Sequence, residues 1–278
     1  MLRLSDDILS RLLAEDVPHG DMTTHGLGIA AQPGRMTFAA RAPMVVCCVE
    51  EAARMVELAG GAAEMHAHSG DWLEPGAPIL TAQGPAEALL AAWKVAQTLV
   101  EATAGIATAT RRLVEAATAA GGAAVACTRK TFPGAKAPSL KAVLAGGGVP
   151  HRLGLSDSLL IFPEHRVFLG GALAGHVAHL KAVSPEKKVV AEAASLDDAL
   201  QLAQDGVDVL QLEKFAPDGV AEVARHLAAL AHPPLLAVAG GINADNAAAY
   251  VRAGARVLVT SSPYWAKPAD VQVRIYSA

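Results

Sequence analysis

The residues most able to do chemistry follow short apolar runs along the chain. The first of these runs, at residues 123–127, leads into a cationic segment in which residues 128–166 carry six Lys or Arg against two acids. The six are Arg129, Lys130, Lys136, Lys141, Arg152 and Arg166, and His151 directly precedes Arg152. A solvated loop face is one interpretation, but these residues surround a Pro-Gly turn and a glycine cluster rather than a helical surface. We favour a pocket for phosphates or carboxylates, since the arginine fork binds two oxygens at once.

Two carboxylates follow later apolar runs. Glu192 comes directly after Val189–Ala191, and Glu213 comes after Val209–Leu212. A carboxylate at the end of a buried strand can pair with the nearby lysines. It can also hold a metal ion or sugar hydroxyls, or stabilise a developing positive charge.

The last two apolar runs end in small residues. Ala239 is followed by Gly240 and Gly241, and Thr260 is followed by Ser261 and Ser262. Small residues let backbone N–H groups approach an anion closely. Two such turns on the final strands of a parallel α/β fold predict a phosphate site.

The elements that position these residues alternate between strand and helix. Short apolar runs, each followed by turn residues and a helical pattern, predict βαβ units and a buried parallel sheet. The runs are Ala123–Cys127, Ser158–Phe162, Lys188–Ala191, Val207–Leu212, Leu235–Ala239 and Ala255–Val259. The pattern leaves open whether the sheet closes, because residues 106–278 fall short of the ~250 residues of a typical eightfold barrel. We expect the polar groups to meet at the carboxyl ends of these strands.

The first part of the chain has a different pattern. It predicts a helix over 4–13, strands over 34–49, a helix over 50–59, strands over 66–83 and helical structure over 85–120. Gly105 is expected to separate two helices in the last of these. We therefore place an N-terminal domain at 1–105 and a second domain at 106–278.

Composition excludes several classes of protein. The 278 residues are 52% hydrophobic with a formal net charge of −4, which argues against disorder and against nucleic-acid binding by bulk electrostatics. The longest stretch without Asp, Glu, Lys or Arg, His226–Ala244, is broken by Pro and Gly and cannot form one membrane helix. Cys47, Cys48 and Cys127 show no metal-binding spacing. We expect a soluble, cytoplasmic protein with reduced thiols.

Motifs along nearly the whole chain resemble the type II phosphoribosyltransferases, the quinolinate phosphoribosyltransferase (nicotinate-nucleotide pyrophosphorylase) family. The matching segments are Glu15-Asp16, Gly20–Thr23, Ala104–Thr108, Thr128–Gly134, Gly146–Gly148, His151-Arg152, Gly154-Leu155 and Asp157. This resemblance implies an N-terminal α/β sandwich domain followed by an incomplete parallel α/β barrel. It also implies a homodimer in which each active site joins one subunit's barrel to the other's N-terminal domain.

The resemblance and the chemistry together suggest a role for each candidate residue. The expected reaction moves a phosphoribosyl group from phosphoribosyl pyrophosphate to an anionic aromatic or heterocyclic acceptor and releases pyrophosphate. The expected catalytic residues are Glu192, Glu213 and Lys130, and the two glutamates would also hold Mg²⁺. The residues expected to bind substrate are Lys94 from the partner subunit, Arg129, Lys130, His151, Arg152 and Phe162. Gly240, Gly241 and Ser261 would hold the 5′-phosphate.

Several departures from the family pattern concern the acceptor. Phe162 stands where family enzymes have a substrate-facing lysine, Glu213-Lys214 replaces Asp-Asn, Trp93-Lys94 replaces Glu-Arg, and Ala239 replaces a serine. With Thr-Arg-Lys-Thr-Phe-Pro-Gly and Phe-Pro-Glu-His, the chain is most similar to the ModD branch, which is associated with molybdenum transport. The sequence leaves two alternatives for the acceptor. One is quinolinate, as in nicotinate-nucleotide pyrophosphorylase (carboxylating) of NAD biosynthesis, and the other is a different molecule.

Two other functions remain open at this stage. One is a non-catalytic binder of an anion or metabolite such as molybdate, although Glu192 and Glu213 would repel an oxyanion. The other is a Schiff-base lyase using Lys130 or Lys141, which would need a lysine whose pKa is lowered by its surroundings.

Overall fold

The computed structural model describes residues 2–277. Its helices are α1 Asp6–Asp16, α2 Met22–Gly26, α3 Val49–Leu58, α4 Ala86–Ala119, α5 Lys136–Ala145, α6 Pro163–Arg166, α7 Leu173–Val183, α8 Leu196–Gln204, α9 Pro217–Leu227 and α10 Ala247–Arg252. Its strands are β1 Pro33–Ala40, β2 Met44–Val45, β3 Ala62–Met65, β4 Trp72–Leu73, β5 Pro78–Pro85, β6 Ala124–Cys127, β7 Val149–Pro150, β8 Leu159–Ile161, β9 Val189–Ala193, β10 Val209–Glu213, β11 Leu235–Ala239, β12 Val257–Thr260 and β13 Val271–Ser277. No helix within residues 2–277 combines the length and apolarity that crossing a bilayer requires.

The chain forms two compact units that are not continuous in sequence. The antiparallel unit comprises residues 2–111, 131–147 and 263–277, and the parallel unit comprises residues 112–130 and 148–262. The first passage from one unit to the other, between residues 111 and 112, lies within α4. The domain boundary expected at residue 105 remains a prediction.

The parallel unit is built on a sheet with the strand order β7-β6-β12-β11-β10-β9-β8. All six apolar runs predicted as strands lie in it, and each pairs in parallel with its neighbours in this order, so that β6 lies beside β12 rather than beside β8. The strands β7 and β8 stand at the two ends of this order, so the barrel is incomplete, as the resemblance implied. Small side chains fill part of its core, namely those of Ala126, Val209, Ala237, Ala239 and Val259.

The antiparallel unit contains a sheet of order β13-β1-β5-β3. Its apolar face packs with α3 and α4 in a core that includes Met36, Phe38, Met55 and Leu89. The strand β13 pairs along β1 from Gly34↔Ser277 to Ala40↔Val271. Sequence analysis had no strand there, because the partner of Val271–Ser277 lies near the other end of the chain.

Two local predictions in this unit were wrong. Gly105 does not separate two helices, because α4 runs unbroken from Ala86 to Ala119. A Cβ on Gly105 would lie 2.4 Å from Lys267 O, so the glycine allows a close approach of the backbone. The strands expected over 66–83 begin earlier, since β3 covers Ala62–Met65 and pairs with β5.

Candidate active site

A pocket of about 430 Å³ lies where the parallel strands end, and all its lining residues belong to the parallel unit. It contains ten of the eleven residues predicted for the site from sequence. These are Arg129, Lys130, His151, Arg152, Phe162, Glu192, Glu213, Gly240, Gly241 and Ser261. The predicted convergence of Arg129, Glu192, Glu213 and Gly240 at one rim is therefore confirmed.

The cationic side of the pocket is held by hydrogen bonds between neighbouring strand ends. The backbone N–H of Thr128 donates to Thr260 O at 2.8 Å, and that of His151 donates to Cys127 O at 2.8 Å. Burial and the nearby Arg129 lower the pKa of Arg152. Because like charges crowd one another here, an anion in the pocket would relieve their repulsion.

His151 is shaped by the same surroundings. Burial lowers its pKa, Arg152 and Arg129 lower it further, and the Gln211 side chain acts in the opposite direction. The net effect favours a neutral imidazole. In that form one ring nitrogen donates and the other accepts, so His151 can hold a neutral group as well as an anion.

Phe162 follows β8 and presents an aromatic ring to the pocket. The guanidinium carbon of Arg152 lies 5.4 Å from the centre of this ring, which is a cation–π distance. His165 stacks against it with ring centres 5.8 Å apart and 17° between the planes. The backbone N–H of Phe162 also donates to His165 Nδ1 at 2.9 Å. The ring is thus held between two side chains at the edge of the cationic surface.

Glu192 and Glu213 lie on neighbouring strands and influence each other. Burial raises the pKa of Glu192, and the charge of Glu213 raises it further. Gln211 Nε2 donates to Glu192 Oε2 at 2.8 Å, and Lys214 Nζ lies 3.9 Å from Glu213 Oε1. Two carboxylates that repel each other in a pocket favour a cation between or beside them.

These two carboxylates fit Mg²⁺. Residues 2–277 hold no group of three or more His, Cys, Asp or Glu side chains placed to bind a metal ion by themselves. Mg²⁺ rarely needs such a cage, because it commonly binds one or two carboxylates together with substrate phosphates. Glu192 and Glu213 provide the oxygen ligands that such a site requires from the protein.

Gly240 and Gly241 form a turn that few other residues could adopt. Their φ angles are +91° and +76°, in the left-handed region that favours glycine. A Cβ on Gly240 would lie 2.6 Å from Lys214 Cγ, whereas a Cβ on Gly241 would enter open space. The Gly241 backbone is therefore open to a ligand. Thr260 Oγ1 donates to Ile242 O at 2.6 Å and ties this turn to the loop that carries Ser261.

Lys94 is the predicted site residue that does not line the pocket. It lies on α4 in the antiparallel unit, with its Nζ 4.4 Å from the centre of the Trp93 ring and 3.2 Å from Gln97 Oε1. Its predicted role concerns a partner subunit.

Lys141 cannot act as the lysine of a Schiff-base lyase. Burial lowers its pKa, but hydrogen bonds to Glu50 and Glu51 more than offset this, so the pKa is raised. A Schiff-base lysine needs the opposite shift. Its ammonium group lies 2.8 Å from Glu50 Oε2 and 2.5 Å from Glu51 Oε2 in the antiparallel unit. Of the two lysines considered for that chemistry, Lys130 alone lines the pocket.

Sequence analysis missed Gln211, which lines the pocket and is 4% exposed. A signal was present, because residues two apart on a strand share a face and Gln211 stands two before Glu213. A single amide inside an apolar strand is easily overlooked as part of the core.

Comparison with known protein families decides where this chain belongs. Residues 21–103 match the N-terminal domain of quinolinate phosphoribosyl transferase, and residues 106–274, more than half of the chain, match its C-terminal domain. The chain belongs to this family. It is therefore related to the type II phosphoribosyltransferases over both family domains.

Family members of two kinds resemble the chain. A Rhodobacter capsulatus protein provisionally named pyrophosphorylase ModD is 49% identical over 260 residues, covering 92% of this chain and 99% of the relative. The Mycobacterium leprae nicotinate-nucleotide pyrophosphorylase (carboxylating) is 32% identical over 262 residues, covering 92% and 91%. The structure of the Francisella tularensis nicotinate-nucleotide pyrophosphorylase matches with a TM-score of 0.88 at 24% identity, covering 99% and 98%, which supports the shared fold.

Proposed function

We propose that this family member transfers a phosphoribosyl group from phosphoribosyl pyrophosphate to an aromatic or heterocyclic acceptor and releases pyrophosphate. The observation that carries the proposal is the grouping of cations, two carboxylates and an open Gly-Gly turn in one pocket. The cations match the pyrophosphate of phosphoribosyl pyrophosphate, the carboxylates match its ribose, and the Gly-Gly turn matches its 5′-phosphate. A simple oxyanion binder would gain nothing from Glu192 and Glu213.

The cations would bind the leaving group. Bond breaking at ribose C1 moves negative charge onto pyrophosphate, so Arg129, Lys130 and Arg152 would stabilise the transition state more than the ground state. Lys130 is exposed, whereas Arg152 is buried, and Lys130 would follow the pyrophosphate as it leaves.

The carboxylates would act on the sugar. Positive charge develops on ribose during transfer, as it does in glycoside hydrolysis. Glu192 and Glu213 would hold ribose hydroxyls and stabilise this charge, and they would also hold Mg²⁺. When bound, Mg²⁺ neutralises charge on the pyrophosphate oxygens. The backbone of Gly240 and Gly241, with Ser261, would bind the 5′-phosphate.

The acceptor would sit against Phe162, His151 and Arg152. An aromatic ring beside a cation suits a flat acceptor with one negative charge better than a dicarboxylate. We therefore propose that quinolinate, and with it carboxylating nicotinate-nucleotide synthesis, is not the preferred reaction. A role beside molybdenum transport, as the name ModD suggests, agrees with a different acceptor.

We also propose a homodimer working in the cytoplasm, with Lys94 of each protomer completing the other's site. A pocket made by one protomer would leave the reacting sugar in water, which weakens every electrostatic interaction. Lys94 carries a charge on α4 and is held by Trp93 and Gln97 rather than by an acid.

The test is acceptor-dependent pyrophosphate release. The protein is incubated with phosphoribosyl pyrophosphate, Mg²⁺ and a panel of aromatic acids and bases. We expect release with at least one acceptor, reduced by about 100- to 1,000-fold in Glu192→Gln and unchanged in Glu186→Gln, which alters an exposed glutamate of the same unit. Equal release by both variants would contradict the proposed role of Glu192.

A further inference from the structure

One polar atom in the pocket lacks a partner. Among the residues described, Gln211 Oε1 is the buried side-chain oxygen or nitrogen without a hydrogen bond. The residue is 4% exposed and lines the pocket. A neighbouring group is His151, because the Gln211 side chain acts to raise the pKa of the imidazole, but Oε1 forms no hydrogen bond with it. A buried amide oxygen left unpaired costs free energy, so a ligand that brings a hydrogen-bond donor to it would bind more tightly.

The orientation of this amide is fixed by its neighbour. Gln211 Nε2 donates to Glu192 Oε2 at 2.8 Å, and the two residues are paired in register on β10 and β9. An ionised carboxylate only accepts hydrogen bonds, so the NH₂ group must face Glu192 and the oxygen must face away from it. Turning the amide over would place two oxygens against each other.

The position of Gln211 indicates which part of a ligand would reach it. Gln211 is in register with Ala237, whereas Glu213 is in register with Ala239, directly before the Gly240–Gly241 turn. At roughly 3.3 Å per residue, Gln211 lies about 10 Å from the level of Gly240, towards the amino ends of the strands. Phosphoribosyl pyrophosphate held by its 5′-phosphate at that turn would leave the space beside Gln211 to the acceptor substrate.

We propose that Gln211 is a specificity-determining residue, whose Oε1 accepts a hydrogen bond from an N–H or O–H group of the acceptor. This inference rests on the proposed transfer reaction. A carboxylate or an unprotonated ring nitrogen facing Gln211 would be disfavoured, because it would set two acceptors against each other. The acceptor class is therefore a heterocycle or aromatic acid that carries an amino, ring N–H or hydroxyl donor.

Matched ligand pairs test this directly by calorimetry in the presence of Mg²⁺ and pyrophosphate. Each pair consists of an aminonicotinate and the methylnicotinate with the substituent at the same ring position, which differ in the donor but little in shape. We expect at least one amino compound to bind the wild-type protein about tenfold more tightly than its methyl partner. Gln211→Met should abolish this preference.

A further variant separates recognition from general disturbance. Gln201→Met removes an exposed amide on α8 that donates to Asp205 in the same way, and it should change nothing. Thermal unfolding of each variant shows whether the fold is retained.

Specific outcomes would overturn the proposal. Absence of any amino preference in the wild-type protein, including absence of binding, would do so. So would a preference that survives Gln211→Met. If Gln211→Met instead weakens ribose 5-phosphate binding about tenfold, the group that donates a hydrogen bond to Gln211 is a ribose hydroxyl. Its assignment to the acceptor substrate is then wrong. Because binding is measured, an amino preference without pyrophosphate release would retain this inference and contradict the proposed reaction.

Discussion

Phe162 is the single residue that most changes what the pocket can bind. Its ring stands beside Arg152 and against His165, at a position where the family resemblance implies a lysine. An aromatic ring can stack on a flat ligand and attracts the Arg152 guanidinium, but it cannot pair with a second carboxylate.

Phe162→Lys should therefore improve quinolinate binding. A charge-assisted hydrogen bond corresponds to roughly ten- to a hundredfold in affinity, and Glu213 and Lys214 would limit the gain. Steady-state kinetics or calorimetry with quinolinate would show it. Phe168→Lys is the control, since Phe168 is an exposed phenylalanine of the same unit that lies outside the pocket. Efficient turnover of quinolinate by the wild-type protein would show that Phe162 does not redirect the substrate.

At the scale of elements, a buried ionic cluster joins α5 to α3. Lys141 is 1% exposed and contacts Glu50 and Glu51, while Glu50 also accepts hydrogen bonds from Ser69. Burial raises the pKa of Glu50, but Lys141 and Ser69 more than offset this and lower it to about 2. The charged forms of Lys141 and Glu50 therefore stabilise each other.

Lys141→Met should destabilise the protein by about 3–5 kcal/mol, because it leaves buried carboxylates without their cation. The pKa of Glu50 is lower in the folded state than its usual 4.5, so its contribution is present above that pH and is lost as the pH falls towards 2. Urea unfolding across this range should show a smaller loss in Lys141→Met than in the wild-type protein. An identical pH dependence in both would contradict the role of Lys141.

Helix α4 owes its close packing to Gly105. Gly105→Ala would normally favour a helix, but here the added Cβ would meet Lys267 O at 2.4 Å. We expect a loss of about 1–3 kcal/mol in the free energy of unfolding. Gly175→Ala in α7 is the matched control, because its Cβ would meet nothing within 4 Å, and it should be neutral or stabilising by up to about 1 kcal/mol. Equal effects would show that the close approach is not what selects glycine.

At the scale of the whole molecule, the sequence predicted the parallel sheet and its rim better than the antiparallel unit. Polar residues directly after apolar runs must meet at one edge of a parallel sheet, so Arg129, Glu192 and Glu213 could be placed together. The role of Gly105 could not be predicted, because it depends on a contact with a distant segment. The pairing of β13 with β1 was missed for the same reason.

The proposed shared sites of a homodimer predict complementation. Lys94→Met and Glu192→Gln should each be inactive alone. Lys94→Met removes the lysine that each protomer contributes to its partner's site, and Glu192→Gln removes a carboxylate from each protomer's own pocket. If the protomers are mixed and allowed to exchange, heterodimers carry one intact site, which would restore about a quarter of wild-type activity. Failure to restore activity, with exchange confirmed by mass spectrometry, would show that Lys94 does not serve the other protomer.

Transfer of the phosphoribosyl group itself can be followed through the ribose carbons. The protein is incubated with Mg²⁺, phosphoribosyl pyrophosphate labelled in its ribose carbons, and the small-molecule fraction of a cell extract, and the products are separated by mass spectrometry. Label should enter a new nucleotide with the wild-type protein and with Glu186→Gln but not with Glu192→Gln. Label that stays in phosphoribosyl pyrophosphate, or appears only in ribose 5-phosphate, would contradict phosphoribosyl transfer.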